Sequence, residues 1–206
     1  MIAIIDYGVG NLFSLKSSFG AVDANAEITG DVNTIRNASA LLLPGVGAFS
    51  DAAKKLRASG LDEVLKEEVA KGKPLLGICL GMQMLFEKSY EYGEHEGLSL
   101  IKGEVVPMKG KIPASLNIPH IGWNALDIKK ESPLLKYVKT GDCVYFVHSY
   151  YAECADDALI ADTEYGINMT AAVQSDNVFG CQFHPEKSGR VGLSILRAFC
   201  ELGGKI

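Results

Sequence analysis

The amino-acid sequence predicts an α/β protein with an open, mostly parallel sheet, helices on both faces and a small antiparallel sheet addition. Two observations predict this fold. Short apolar runs alternate with amphipathic stretches up to about residue 90, which is typical of βαβ units. From about residue 98 the apolar runs are separated only by turns, which favours antiparallel strands. We expect residues 1–206 to form a single domain, because 48% hydrophobic content over this length suits one core.

Three pairs of elements make up the first part of the chain. The predicted strand and helix of each pair are "IAIID" and "LFSLKSSFGAV", "ALLLPG" and "AFSDAAKKLRASGLDEVLKEEVAKG", and "KPLLGIC" and "LGMQMLFEKS". In the second helical stretch, Leu61 and Leu65 fall on one face, whereas Asp62 and Lys66 fall elsewhere. This pattern predicts a helix that packs one side onto the sheet.

The second part of the chain predicts mainly strands. These are "LSLIKGEVVPM", "IGWNALDI", "CVYFVHSYYAEC", "ALIAD" and "MTAAVQ". A last strand, "NVFGCQF", leads through "HPEKSG" to a final helix near 190–202.

Charge and composition exclude several kinds of partner. The formal charge of -5 provides no basic stripe for nucleic acid. No apolar run approaches the roughly 18 residues of a membrane span, and "MIAIIDYGVG" lacks the basic region of a signal peptide, so we expect a cytoplasmic protein that does not associate with membranes. The five cysteines contain no Cys-x-x-Cys pair, which argues against a disulfide framework and a zinc site. With no P-loop or dinucleotide motif, we expect neither metal nor cofactor.

The pattern Gly77-Ile-Cys-Leu-Gly81 lies between a predicted strand and a predicted helix. This is the context of a nucleophile elbow, a sharp turn whose flanking positions have no room for side chains. The turn lifts the nucleophile out of the sheet, and the N-terminus of the following helix favours a thiolate. Cys79 is therefore a candidate nucleophile. The alternative is a small buried cysteine at a tightly packed turn.

A candidate base follows in "GCQFHPEKS", where Glu186 stands two positions after His184. Residues i and i+2 of an extended chain face the same way, so Glu186 could orient the His184 ring. The alternative is a strand-end histidine beside a surface carboxylate. Other histidines, at positions 95, 120 and 148, could compete as the base, but no carboxylate follows them at this spacing.

The segment "LLLPGVGAF" supplies a glycine-rich loop after another predicted strand. Backbone N–H groups in such a loop can stabilise an oxyanion. Gly45, Val46 and Gly47 are candidates for this site, together with the N–H of Leu80. The alternative is an ordinary Pro-Gly turn. The elbow, the base and this loop all follow strands, and ligands of open α/β sheets bind at the carboxyl ends of strands.

With these motifs, "PGVG", "GICLGMQ" and "QFHPEKS", the sequence resembles the triad, or class I, glutamine amidotransferases, whose fold is flavodoxin-like. More narrowly, "IDYGVGNL", "EGLSLIKGEV", "PHIGWN" and "YFVHSYYA" are similar to motifs of the glutaminase subunits of imidazole glycerol phosphate synthases, which serve histidine biosynthesis. The resemblance extends over the whole chain.

The resemblance implies that Cys79, His184 and Glu186 form a catalytic triad that hydrolyses glutamine through a glutamyl thioester. It also implies that Gln83, Glu91 and the backbone around Ser149 bind the α-amino and α-carboxylate groups of glutamine. It further implies a heterodimer with a (β/α)₈ cyclase that uses the ammonia. We expect five residues to form or border the docking face for this partner: Asn11, Trp123, Tyr145, His148 and Lys187.

Two other functions stay open at this point. The chain could be the glutaminase of an anthranilate, guanylate or carbamoyl phosphate system, although "IDYGVGN", "PHIGWN" and "YFVHSYYA" argue against this. It could also be a non-catalytic regulatory relative with the same fold. Such a relative is expected to have lost a member of the triad, and none is missing from this sequence.

Overall fold

A mixed eight-stranded sheet forms the centre of the computed structural model, which describes residues 1–204. Its parallel part contains, in spatial order, β2 (Ala26–Thr29), β1 (Ile2–Ile5), β3 (Ala40–Leu43), β4 (Leu75–Ile78) and β14 (Val178–Cys181). Antiparallel strands continue the sheet in the order β13 (Asn168–Ser175), β12 (Leu159–Glu164) and β9 (Asp127–Ile128). Strands β1, β3, β4 and β14 are buried throughout, because helices cover both faces of a parallel sheet.

The α-helices of the described residues are α1 (Leu12–Gly20), α2 (Val32–Asn37), α3 (Phe49–Ala58), α4 (Leu61–Ala70), α5 (Leu80–Gln83) and α6 (Gly189–Leu202). Phe19 of α1 and Phe199 of α6 lie in the core on one face of the sheet. Phe49 of α3 and Leu65 of α4 lie in the core on the opposite face. The predicted fold class, with helices on both faces of a mostly parallel sheet, is confirmed.

The helix predicted over residues 48–72 is in fact two helices, α3 and α4. The chain turns at Gly60, whose φ of +70° lies in the left-handed region that ends helices. The prediction that Asp62 lies away from the buried face is also wrong, since this residue is only 8% exposed.

The helix predicted over "LGMQMLFEKS" is wrong beyond its first turn. Helix α5 ends at Gln83, and a short strand β5 (Lys88–Ser89) follows. The carbonyls of the next three residues, 84–86, accept hydrogen bonds from backbone amides of residues 98–101 instead of from a continuing helix. This long-range pairing ends the helix.

Two small sheets adjoin the main one. Strands β8 (His120–Ala125) and β10 (Cys143–His148) form an antiparallel pair. The other sheet has the order β11 (Tyr150–Cys154), β7 (Gly103–Pro107), β5 and β6 (His95–Glu96). The strand predicted over "CVYFVHSYYAEC" is therefore two strands in different sheets, and the chain passes between them at Ser149. Short 3-10 helices lie at Pro133–Leu135 and Pro185–Lys187.

Within residues 1–204, no helix has both the length and the apolar character needed to cross a membrane.

Candidate active site

Cys79 occupies the sharp turn between β4 and α5. Its φ of +53° and ψ of -111° are rare for a residue with a side chain, and strained backbone of this kind is concentrated at functional sites. A Cβ atom at Gly77 would lie 2.6 Å from the carbonyl oxygen of Gly81, and one at Gly81 would lie 1.9 Å from that of Leu43. Both flanking glycines are therefore required by lack of space. The helix that follows has only four residues, so we expect its dipole to contribute less than the sequence indicated.

The Cys79 side chain lines a cavity of about 320 Å³ at the carboxyl ends of the parallel strands. The other lining residues are Val46, Gly47, Leu80, Gln83, Glu91, Pro119, Val147, His148, Ser149, Tyr150 and His184. These residues come from loops and strands that are distant in the sequence. The cavity has the size of a small-molecule site.

His184 lies between Cys79 and Glu186. Its Nδ1 is 2.7 Å from Oε1 of Glu186, and both side chains are at least 95% buried. Burial lowers the pKa of His184, but hydrogen bonds to Cys79 and Glu186 raise it more, to about 9. The structure thus brings together the three residues that the sequence proposes as nucleophile, base and orienting carboxylate. An imidazolium in this position can give its proton to a leaving group.

Ser188 fixes the turn that carries the histidine, a role that the sequence did not indicate. Its Oγ donates to the carbonyl of His184 at 2.7 Å and accepts from the N–H of Tyr145 at 2.9 Å. The N–H of His184 in turn donates to the carbonyl of Tyr145 at 2.9 Å. The middle of β10, at Tyr145, and the histidine turn therefore hold each other in place.

The glycine-rich loop reaches the cavity through Val46 and Gly47, and Leu80 lines it from the elbow. Gly47 has a φ of +88° and open space around it, so its backbone conformation, not packing, requires glycine. Gly45 lies outside the cavity lining, and a Cβ atom there would come within 2.7 Å of the Gly81 nitrogen. Gly45 thus allows the loop and the elbow to pack closely.

The three residues proposed to bind substrate also line the cavity. Gln83 is buried, and its Nε2 donates to the carbonyl of Tyr150 at 3.1 Å. Glu91 Oε2 accepts from the N–H of Phe49 at 2.5 Å, at the N-terminus of α3. This bond holds one carboxylate oxygen near the glycine-rich loop of residues 45–47. Ser149 stands at the junction of β10 and β11.

The residues proposed for the docking face are not all on the surface. Asn11 and Lys187 are exposed, and the Trp123 side chain is 57% exposed. Trp123 and Tyr145 are cross-strand partners with ring centroids 6.2 Å apart, and Lys187 Nζ lies 5.7 Å from the Tyr145 ring centroid. His148 is different, because it is only 6% exposed and faces the cavity. Of the two expected positions, His148 can therefore only border the docking face from the cavity side and does not form part of its outer surface.

His148 forms a buried pair with His120, its cross-strand partner. The Tyr150 carbonyl, which can only accept, lies 2.9 Å from Nδ1 of His148, so that nitrogen carries the proton. Nε2 of His148 then accepts from Nδ1 of His120 at 3.1 Å. Burial lowers the pKa of His148 to about 3 despite the Tyr150 bond, so its ring is neutral. Both of its ring nitrogens are occupied by these two contacts, which leaves neither of them free to accept a proton from Cys79. The only sequence pattern that could have indicated this pair is the alternation of inward and outward side chains along the strand of "PHIGWN", which contains His120.

Clusters of metal-binding side chains are absent from the described part of the chain. Residues 1–204 contain no group of three or more His, Cys, Asp or Glu side chains placed to hold a metal ion. The five cysteines are free thiols.

Comparison with known proteins decides the family. Residues 3–201 match the family "Glutamine amidotransferase class-I". The chain belongs to this family. This amidotransferase is 55% identical over 203 residues to imidazole glycerol phosphate synthase subunit HisH of Caldanaerobacter subterraneus subsp. tengcongensis, with 98% of each chain covered. It is 52% identical to the HisH subunit of Lactococcus lactis subsp. lactis, covering 97% of this chain and 98% of the relative. The resemblance predicted from the motifs is confirmed.

Solved structures agree on the fold of the amidotransferase. A structure described as a glutamine amidotransferase matches with a TM-score of 0.77 and 18% identity, covering 99% of this chain and 100% of that one. A structure of PurLQS from Thermotoga maritima matches with a TM-score of 0.72 and 17% identity, covering 97% of each chain. Similarity at this identity concerns the fold alone.

Proposed function

We propose that this amidotransferase is the glutaminase subunit of an imidazole glycerol phosphate synthase. It hydrolyses glutamine to glutamate and ammonia and supplies the ammonia for histidine biosynthesis. The observation that supports the glutaminase activity is that Cys79 contacts His184 and His184 contacts Glu186, in a buried position beside the cavity. The HisH relatives, at 52 to 55% identity, support the specific synthase.

The reaction begins when the Cys79 sulfur attacks the side-chain amide carbon of glutamine. The resulting oxyanion is stabilised by backbone N–H groups of Val46 or Gly47 and of Leu80. His184 gives its proton to the amide nitrogen, the C–N bond breaks, and ammonia leaves a glutamyl thioester. His184, now neutral, takes a proton from water, which attacks the thioester. The C–S bond then breaks and glutamate is released.

Substrate orientation comes from the opposite side of the cavity. Gln83 donates its N–H groups to protein acceptors, so its Oε1 is available to accept from the α-ammonium of glutamine. The second carboxylate oxygen of Glu91 contributes negative charge to the same group. Backbone N–H groups near Ser149 bind the α-carboxylate. A substrate held at both ends presents its amide to Cys79.

The general-acid step should depend on His184. We expect kcat/KM for glutamine hydrolysis to fall as pH rises through about 9, because His184 then loses the proton that ammonia needs to leave. In Glu186→Gln the carboxylate no longer raises the pKa, so this limb should move to lower pH. Glutamate release measured from pH 6 to 10 in both proteins checks the prediction; an identical limb in the variant would contradict the role of Glu186.

The ammonia is used by a second chain. Neutral ammonia is the reactive form, and an enzyme that supplies it benefits from transfer out of contact with water. We propose that the acceptor is a cytoplasmic (β/α)₈ cyclase, which binds in a heterodimer over the exposed residues near the active site. The docking face includes Asn11, Trp123, Tyr145 and Lys187. Tyr145 joins this face to the triad, since its backbone is bonded to His184 and Ser188.

Glutamate release by the purified chain, alone and with the cyclase plus its nucleotide ligand, tests this function. We expect low release alone and a strong increase in the complex. Lys187→Ala should reduce this increase, because the exposed ammonium stands on the docking face. Lys71→Ala is the matched control, since Lys71 follows α4 and precedes β4, at the amino ends of the parallel strands and away from the cavity. If the chain were fully active alone and did not respond to the cyclase, the glutaminase assignment would stand but the proposed partner would be wrong.

A further inference from the structure

Gln182 is completely buried beside the nucleophile and has no role in the mechanism above. It follows β14 and precedes the triad histidine by two positions. Its Nε2 lies 3.7 Å from Sγ of Cys79, within the distance of a hydrogen bond to sulfur. Its backbone N–H donates to the carbonyl of Ala171 at 2.9 Å, which anchors the residue to β13.

The orientation of the Gln182 amide is fixed by a chain of hydrogen bonds. The carbonyl of Tyr150 can only accept, so the group of Gln83 that faces it must be the NH₂ group. The same NH₂ group donates to Gln182 at 3.0 Å, so the oxygen of Gln182 faces Gln83. The nitrogen of Gln182 must then face Cys79. The reverse orientation would place two acceptors, or two donors, against each other at two places in a buried network.

We propose that Gln182 is a further catalytic residue that donates its amide N–H to the sulfur of Cys79 and stabilises the thiolate before attack. The inference rests on the proposed glutaminase function. A neutral amide adds a directed donor without adding charge. A hydrogen bond to a charged atom is stronger than one between neutral groups, and burial strengthens it further relative to water. His184 supplies the opposite charge, whereas Gln182 restricts where the sulfur lies.

This donor also connects the substrate site to the nucleophile. Gln83 contacts Gln182 on one side and is proposed to bind the glutamine α-ammonium on the other. Electron density drawn from Gln83 Oε1 by the ammonium strengthens the donors at its nitrogen. Bound substrate therefore strengthens the two hydrogen bonds that lead from Gln83 through Gln182 to Cys79.

The test compares the wild-type chain with Gln182→Met, which has similar length and no N–H donor. The direct measurement is the rate of Cys79 alkylation by iodoacetamide at pH 7, followed by mass spectrometry of the Cys79 peptide. We expect alkylation about tenfold slower in Gln182→Met, as a lost hydrogen bond to a charged group implies. For glutamine hydrolysis we expect kcat to fall by a similar factor, with a smaller rise in KM because Gln83 loses its acceptor on Gln182.

Gln174→Met is the matched control, because Gln174 lies on β13 and its side chain bonds to the carbonyl of Asp176. It should alkylate at the wild-type rate. If Gln182→Met does not fold, as judged by circular dichroism, Gln182→Glu replaces it in the test, because Glu has the shape of Gln but an oxygen in place of the NH₂ donor. A carboxylate beside the sulfur should slow alkylation at pH 8.

An unchanged alkylation rate in a folded Gln182 variant would overturn the proposal, whatever the variant does to glutamate release. If the wild-type chain released no glutamate under any condition, the proposed function would fail. The alkylation comparison would still decide whether Gln182 acts on Cys79.

Discussion

Replacing Cys79 with alanine should abolish glutamine hydrolysis, lowering kcat by a factor of about 10³ or more. No other group at this site can form the thioester, because the remaining described cysteines do not line the cavity. His184 and Glu186 should keep their positions, since the turn of residues 184–188 is held by backbone and Ser188 contacts that do not involve the sulfur. The measurement is glutamate release in the complex with cyclase and nucleotide, where the wild-type rate is expected to be highest.

Cys143→Ala is the control for this experiment, because Cys143 is an exposed free thiol away from the cavity. Its activity should equal that of the wild-type chain. The Cys79 variant should still form the complex, since Cys79 is buried and is not among the residues of the proposed docking face, and gel filtration checks this. If Cys79→Ala released glutamate near the wild-type rate, Cys79 would not be the nucleophile and would only be a packing residue at the turn.

Local sequence patterns predicted the parts of the site that local structure determines. The elbow could be predicted because a sharp turn needs glycines on both sides, at positions 77 and 81. The pairing of His184 with Glu186 could be predicted because an i, i+2 spacing brings two side chains to one side. Both inferences need only a few neighbouring residues.

Long-range contacts decided what the sequence could not predict. Helix α5 ends early because the carbonyls of residues 84–86 bond to residues 98–101. His148 is buried against His120, which β8 places directly opposite it. The donor at Gln182 depends on Gln83 and Tyr150, which come from two other parts of the chain. Pattern and spacing within one segment contain no information about these partners.

The elbow can approach the glycine-rich loop of residues 45–47 closely because the glycines leave space, more than because they are flexible. A Cβ atom on Gly45 would meet the nitrogen of Gly81, and one on Gly77 would meet its carbonyl oxygen. The backbone of Gly81 is therefore enclosed by two other glycines as well as by the end of β3. This packing sets the distance between the Leu80 N–H and the loop at Val46, the two sides of the proposed oxyanion site.

Gly81→Ala should consequently destabilise the protein and inactivate it. The new Cβ would lie 1.9 Å from the Leu43 carbonyl oxygen, and the contact is with backbone, which cannot rotate away. We expect the free energy of unfolding to fall by about 3 kcal/mol or more. For a chain of this size the corresponding change in Tm is a decrease of about 10 °C. Differential scanning calorimetry measures the first effect, and glutamate release by the folded fraction measures the second.

Gly20→Ala separates this clash from the general effect of replacing glycine. Gly20 ends α1, and a Cβ atom there meets nothing within 4 Å. Alanine at this position restricts the unfolded chain without straining the folded one, so stability should stay unchanged or rise by about 0.5 kcal/mol. If Gly81→Ala were as stable and as active as Gly20→Ala, the elbow would have room to move away from β3. The geometry of the oxyanion site would then not depend on the contact between Gly81 and Leu43.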